Sequence, residues 1–490
     1  MAAERSRSHA VTSSGAPATV GASKSSRADD WSQQAELVAN DRDESDYFGS
    51  GVAVSRDGTT AIIGAPGDDS PNGEDGGSAY VFERTGEEWS QQTKLAPDDG
   101  NEGGRFGGSV SISRDGTTAV IGAYLDDGPN GDNTGSAYVY NATGEEWSQQ
   151  AKLAPDDGDE NDAFGASIAV SDDGATVIIG APSDTEPNGE YGGSAYVFEQ
   201  ASGEWTQQTK LASDDGAEED YFGGSVALSG GGMTAILGAA GDDGPNGEAK
   251  GSAYVFEAAG DEWAQQTKLT APDGDEGDGF GGPVAISRDG TIAFFGANGD
   301  EDPNGEGAGS AYVFDRDNGD WTQQAKLAPD DGDPKDSFGR ALAVSSDGMT
   351  LIVGAFTDEN PNGENAGSAY VFDGSDGDWS QQEKLMLDDG DNADSFGITL
   401  GVSGDGTTTV IGANGDGFPS DFQAGSAYVF ATDQQPAGPT AGQTTEEPTG
   451  SESDEDDGGS IPGFGVGSVV AGLTGAVYLL RRANEDDLEQ

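Results

Sequence analysis

The chain has no cysteine and a single histidine, His9. Disulfide staples, thiol nucleophiles and thiolate metal sites are therefore excluded, and one imidazole outside the patterned part of the chain builds neither a histidine metal site nor His-based acid–base chemistry. Basic residues are scarce too: 22 Lys and Arg stand against 91 Asp and Glu, a formal net charge of −69 over 490 residues. Neutralising phosphates needs clustered Lys and Arg, so nucleic acid is excluded as a partner. Residues 1–30 have no apolar run that reads as a secretory signal. So acidic a composition is compatible with disorder, but strong apolar periodicity in the middle of the chain argues for a folded body with an acidic surface. Such a surface suits molar salt, where the Debye length is about 3 Å and self-repulsion is screened. The expectation is a halophile protein.

What the chain does have is a repeat. Its seven tryptophans, Trp31, Trp89, Trp147, Trp205, Trp263, Trp321 and Trp379, follow one another at steps of 58 residues. Phe-Gly keeps the same step from Phe48 to Phe396, Gly-Ala from Gly64 to Gly412, and Gly-Ser-Ala-Tyr-Val-Phe from Gly77 to Gly425, with Tyr140 the one departure from the last Phe. A fixed period of this length means a propeller, a solenoid or an array. Each unit reads as four strands. In the second they are A (106–113), B (118–123), C (135–140) and D (147–153), with A and B joined by a Ser-Arg-Asp-Gly-Thr hairpin signal. Strand D alternates in period two. Strand A is rich in Gly and Ser, as an innermost strand near a crowded axis requires. The Lys that strand D carries in six of seven units reads as an edge charge opposing strand-to-strand aggregation. Seven units of four strands predict an all-β, seven-bladed β-propeller.

The phase of the repeat predicts how the ring closes. The chain opens with a lone D strand, 31–37, and the last unit ends on a C strand, 425–430, with no Trp after it. Seven D strands and seven A–C sets pair completely when the first strand completes the last blade.

At this point the residues resemble a known family. Phe-Gly followed by Gly-Ala-Pro, as in Gly64-Ala65-Pro66 and Gly180-Ala181-Pro182, is similar to the FG-GAP repeat of integrin α propellers, and Trp-x-Gln-Gln-x-Lys-Leu resembles its bacterial and archaeal branch. The resemblance covers residues 31–430. It implies a ligand-binding propeller. The calcium loop of integrin-type repeats, Asp-x-Asp-x-Asp-Gly between A and B, has no counterpart in Ser55–Thr59.

In such a ring the D–A and B–C links share one face, and most of the acidity falls there. One Asp recurs in all seven D–A links, a second in six, and one in all seven B–C links. The bland reading is turn capping and solvation. The sharper one is weak Ca²⁺ coordination by clustered oxygens, with Asp157, Asp162, Asp68, Asp126, Asp215 and Asp220 as candidate ligands. Of 39 aromatic residues, 28 fill the repeated registers, and seven of the rest lie in links of the acidic face. Exposed aromatics typify binding surfaces. Candidate docking residues are Phe418, Phe422, Phe356 and Tyr124. Phe418 and Phe422 stand in the one B–C link that departs from Pro-Asn-Gly-acid, and the competing reading has them folded under it. Asn141-Ala142-Thr143 is an N-glycosylation sequon placed in a C–D link.

Residues 1–30 read as a disordered segment, and residues 431–459 as a Thr/Pro/acidic stalk. Residues 460–482 hold Pro462-Gly463-Phe464, an apolar run to Leu480 and the pair Arg481-Arg482, before an acidic tail, 483–490. A short apolar helix is expected there. The order resembles the PGF-CTERM sorting signal of archaeal surface proteins, which implies processing by archaeosortase and attachment to a membrane lipid. A plain transmembrane anchor, with the paired Arg on the cytoplasmic side, is the alternative. The expectation is an exported, surface-anchored, non-enzymatic binding or adhesion module for an extracellular protein or glycan. A structural envelope protein without a discrete ligand (associated with an S-layer) is the second reading. A propeller hydrolase is a remote third, because near-copied loops do not supply carboxylates with distinct pKa values at one place.

Overall fold

The structure is a computed structural model that describes residues 31–432, apart from residues 70, 129–130, 244–248, 261, 302, 388–389 and 418–422. The expectations for residues 1–30, the stalk, the apolar helix, the sorting signal and the acidic tail concern segments outside the described residues. Within them, 28 strands form seven four-stranded antiparallel sheets. Blade one is Gly51–Val54 (A), Thr60–Ala65 (B), Ser78–Thr85 (C) and Glu88–Leu95 (D), hydrogen-bonded in that order. The other blades repeat it, and the A strands of neighbouring blades pack on one another around the axis.

The expected seven-bladed propeller is therefore the fold, with small differences at strand ends. Strand C of the second blade runs from Ser136 to Thr143, longer than its motif, because its hairpin with Glu146–Leu153 keeps pairing to the turn. Strand A is shorter in most blades. There Phe-Gly bulges out of the ladder, and in five of the seven repeats Phe bridges back to the preceding blade, as Phe106 does to Gly77.

The motifs follow from how the blades meet. Strand B and the first five residues of strand C are almost wholly buried, since both their faces meet neighbouring blades, whereas strand D alternates with one face in solvent. The Phe of each Phe-Gly is fully buried, and Phe106 lies edge-on to Tyr138 and Tyr140, with ring centroids 5.6 and 6.0 Å apart. The two motif glycines answer one close approach. Gly107 has φ +94°, and a Cβ there would run into the Ser78 carbonyl; a Cβ on Gly64 would run into the Gly107 carbonyl of the next blade. Blades come this near only where both side chains are absent.

Closure follows the phase of the repeat. Trp31–Leu37 pairs antiparallel with Ser426–Thr432, from Trp31 opposite Thr432 to Leu37 opposite Ala427, as strand D of blade seven. Phe48 bridges to Gly425, and Thr399 Oγ1 donates to the Gly49 carbonyl at 2.7 Å.

Candidate functional site

The D–A and B–C links form one face, and the structure shows where its recurring acids go. In blade three, Asp184 of the B–C link is buried. Its Oδ2 accepts from Tyr196 Oη at 2.8 Å and Ser194 Oγ at 2.5 Å, and lies 2.7 Å from Lys210 Nζ; its Oδ1 accepts the Glu186 N–H. The same ammonium lies 3.0 Å from Asp157 of the D–A link and 5.3 Å from the centre of the Tyr196 ring. The arrangement recurs in six blades: Asp41–Lys94–Asp68, Asp99–Lys152–Asp126, Asp157–Lys210–Asp184, Asp215–Lys268–Asp242, Asp273–Lys326–Asp300 and Asp331–Lys384–Asp358. The tyrosine of each strand C donates to the buried Asp, as Tyr80 does to Asp68 and Tyr138 to Asp126.

The strand D lysine is thus more than the edge charge its position suggests. It is the cation that lets two carboxylates stand together at the blade's outer corner. Burial works against the charge on Lys210, but Asp184 and Asp157 hold its pKa above the usual lysine value. Burial likewise opposes ionisation of Asp157, yet the Lys210 hydrogen bond and charge keep its pKa below the carboxylate range. The signal was legible: Lys, both Asp and Tyr all keep the step of 58, and a buried tyrosine hydroxyl calls for a partner.

The second recurring Asp has another role. Asp162 is buried and its Oδ2 accepts the Asp159 N–H at 2.7 Å, fixing the D–A turn, and Asp46, Asp220, Asp278, Asp336 and Asp394 do the same in their links. Burial raises Asp162 to about 7, with the Asp184 charge adding to it. Asp46, Asp220, Asp278 and Asp336 rise to about 6 for the same reasons.

The candidate calcium ligands are therefore distributed. Asp157 with Asp162, and Asp215 with Asp220, lie within one link each, beside a lysine ammonium. Asp68 and Asp126 belong to neighbouring blades and are not brought together, each being engaged by its own lysine. Among the described residues, no group of three or more His, Cys, Asp or Glu is arranged to hold a metal ion. In blade seven Glu36 takes the lysine position, accepting from Ser426 Oγ at 3.4 Å, while Tyr428 donates to Asp416 at 2.7 Å.

The link aromatics gather on this same face, half-buried rather than fully exposed. The Tyr124 ring lies across Gly108, where a Cβ would meet it, and Phe356 lies 5.9 Å from the guanidinium of Arg340. Arg340 stands directly after Phe-Gly, and its burial lowers its pKa to about 10. The Tyr191 and Tyr221 rings lie with centroids 5.7 Å apart, tilted by 32°, and Tyr47 Oη donates to Gln423 Oε1 at 3.1 Å. Phe418 and Phe422 lie outside the described residues. Asn141 is not in a link: it pairs with Thr118 on one side and Ser148 on the other, half-buried within strand C. That corrects the sequon's placement, since a glycan needs an exposed asparagine.

The comparison with protein families agrees with this geometry. The FG-GAP repeat matches residues 31–82, 89–140, 147–198, 205–256, 263–314, 321–372 and 379–430. The chain belongs to the FG-GAP repeat family. Each FG-GAP match runs from a D strand through the A, B and C strands of the next blade, so the family repeat is offset by one strand from the blade. A search of curated proteins finds no match.

Proposed function

We propose that this FG-GAP propeller is a non-enzymatic binding or adhesion module that engages an extracellular protein or glycan through the D–A and B–C face. One observation carries the reading. The recurring acids of that face are consumed by turns and by lysines, while several of the residues that depart from the repeat there are aromatic: Tyr124, Phe356 against Arg340, and the Tyr191–Tyr221 pair. A surface of half-buried rings among carboxylates offers an apolar platform with polar surroundings, which suits a sugar ring or a protein side chain.

The test uses the full chain displayed on cells. Replacing Tyr124 and Phe356 together by Ser is expected to weaken adhesion about tenfold while the melting temperature moves by less than about 3 °C, because both rings retain solvent-facing area. Unchanged adhesion overturns the docking face, and a collapse of stability reassigns the rings to packing.

The same proposal takes residues 460–482 as the means of attachment, with archaeosortase as processing partner and a membrane lipid as anchor. The order Pro462-Gly463-Phe464, apolar run, Arg481-Arg482 supports it. Mass spectrometry of membrane-extracted protein is expected to find a C-terminus near Pro462 carrying lipid mass. An intact peptide through Arg481 would instead mean a plain transmembrane anchor.

A further inference from the structure

The chain carries nine Asn-Gly pairs, and both residues are described in seven of them. Asn-Gly is the dipeptide most open to a reaction with itself. The glycine backbone nitrogen can reach the carbonyl carbon of the asparagine side chain, because no Cβ on glycine hinders the approach. The fold treats these seven pairs unequally. In six of them the glycine N–H is donated to a backbone carbonyl: Gly73 to Asp69 at 3.2 Å, Gly189 to Thr185 at 2.9 Å, Gly299 to Asp278 at 3.2 Å, Gly305 to Glu301 at 2.7 Å, Gly363 to Asn360 at 3.0 Å and Gly415 to Asp394 at 3.1 Å. A nitrogen held this way cannot turn toward the side chain unless the bond opens first.

The asparagine amides of the Pro-Asn-Gly links are held as well. Asn72 Nδ2 donates to the Pro97 carbonyl at 3.2 Å and Asn304 Nδ2 to the Pro329 carbonyl at 3.1 Å, and Asn188 and Asn362 reach the Ser213 and Leu387 carbonyls in the same manner. Each of these asparagines ties a B–C link to the D–A link that follows the same blade.

Asn318-Gly319 is the exception. It is the two-residue turn between strands C and D of blade five, Ser310–Asp317 and Asp320–Leu327. Its φ angles are +52° and +95°, the positive pair that a type I′ turn requires. Asp317 pairs with Asp320 and closes the ladder, so both turn residues stand outside it, exposed. The Gly319 N–H makes no hydrogen bond among the described residues, and a Cβ built on Gly319 would meet nothing. The Asn318 amide has one contact, to the exposed carboxylate of its neighbour Asp317 at 2.8 Å. Blade three makes the corresponding turn with Ser202-Gly203, at φ +56° and +86°, and has no amide there.

We propose that Asn318 is a site of spontaneous covalent modification, deamidation through a cyclic imide, and that folding protects the Asn-Gly pairs of the links from the same reaction. The Gly319 nitrogen gives its proton to solvent and attacks Cγ of Asn318. A C–N bond forms, a five-membered ring closes, and the side-chain nitrogen leaves as ammonia. Water then adds to one of the two imide carbonyls and breaks its bond to nitrogen, giving aspartate or isoaspartate. One water is consumed, one ammonium ion is released, and a carboxylate replaces the amide without any change of oxidation state. Isoaspartate carries the main chain through Cγ and lengthens the turn by one backbone atom. The next pair of the ladder is Arg316 opposite Trp321, where the guanidinium lies 5.9 Å from the indole ring centre and pairs with Glu257 of blade four. A longer turn therefore strains a contact that joins blades four and five at the rim. This chemistry is separate from the aromatic face.

Ageing the full chain in molar KCl at mildly alkaline pH, followed by peptide mass spectrometry, tests this. The peptide holding Asn318 is expected to gain about 1 Da at least about tenfold faster than the peptides holding Asn72, Asn188, Asn304 or Asn362, because reaction in the links waits on local opening. In guanidinium chloride the five rates are expected to converge to within about threefold, since the unfolded chain keeps none of these bonds. Asn318→Ser puts the residue of blade three into the same turn, and is expected to remove most of the isoaspartate that methyltransferase labelling finds in the aged, folded parent. An Asn318 that reacts no faster than the link asparagines in the folded chain, a spread of rates that persists after unfolding, or isoaspartate labelling undiminished by Asn318→Ser overturns the proposal.

Discussion

Deleting residues 31–37 is expected to abolish cooperative unfolding, or to lower the midpoint by more than about 10 °C where a transition survives. Without that strand, blade seven keeps three strands and the Ser426–Thr432 edge, buried along its whole length in the intact ring, opens to solvent. Leu37 and Trp31 leave the cores they join, and the Trp31 N–H loses its bond to Glu383 Oε2. An unpaired apolar edge recruits other chains, so aggregation is expected at low micromolar concentration. A free peptide spanning residues 28–40 is expected to restore the transition by adding itself as the missing strand. Scanning calorimetry at one salt concentration decides the matter; a truncated chain that melts like its parent would falsify closure by the first strand.

Stability is expected to peak near pH 4–5 and to fall on the alkaline side. Asp46, Asp220, Asp278 and Asp336 titrate at about 6 in the folded chain and Asp162 at about 7, against an ordinary value of 3.8. Between those limits the native state holds protons that the unfolded state has lost, so unfolding free energy declines as pH rises from about 4 to about 7. Below that window the sign reverses. Asp41, Asp157, Asp215 and Asp273 sit lower than usual beside their lysines, so the stability they give is lost as pH drops through their folded values. At fixed molar KCl, where general repulsion is screened, the melting temperature at pH 5 is expected to exceed that at pH 8 by roughly 5–10 °C. Asp162→Asn keeps an acceptor for the Asp159 N–H and removes the charge, so it should be the more stable chain at pH 8 and show a shallower decline. A parent chain that gains stability steadily from pH 5 to pH 8 contradicts the assignment of these buried carboxylates.

The strand inventory and the closure could be read directly from residues, because a buried four-stranded unit repeated seven times writes the same apolar and glycine pattern seven times. Trp31 at one end and the missing Trp at the other were enough to predict which strand completes which blade. Side-chain partnerships were less legible. Lys210 looked like a solvent-facing edge residue because periodicity reports which face a residue is on, not which loop folds over it; Asp184 and Asp157 arrive from links whose paths no local pattern specifies. Asn141 was misplaced by a few residues for a related reason, since a hairpin ladder runs on past its apolar motif.

The offset between repeat and blade has a mechanical consequence. Because the first strand lies outside the last, the strand from which the chain departs at Thr432 is an interior strand, held by six Cα partners on the Thr408–Ala413 side and six on the Trp31–Leu37 side. A pull on the chain beyond Thr432, directed along the strand, loads two ladders in parallel. In a ring closed in step with its repeat, the same tension would fall on an outermost strand with a single ladder, free to peel away. Tension applied there is distributed across a whole blade, so the connection resists shear before any one seam of hydrogen bonds can open.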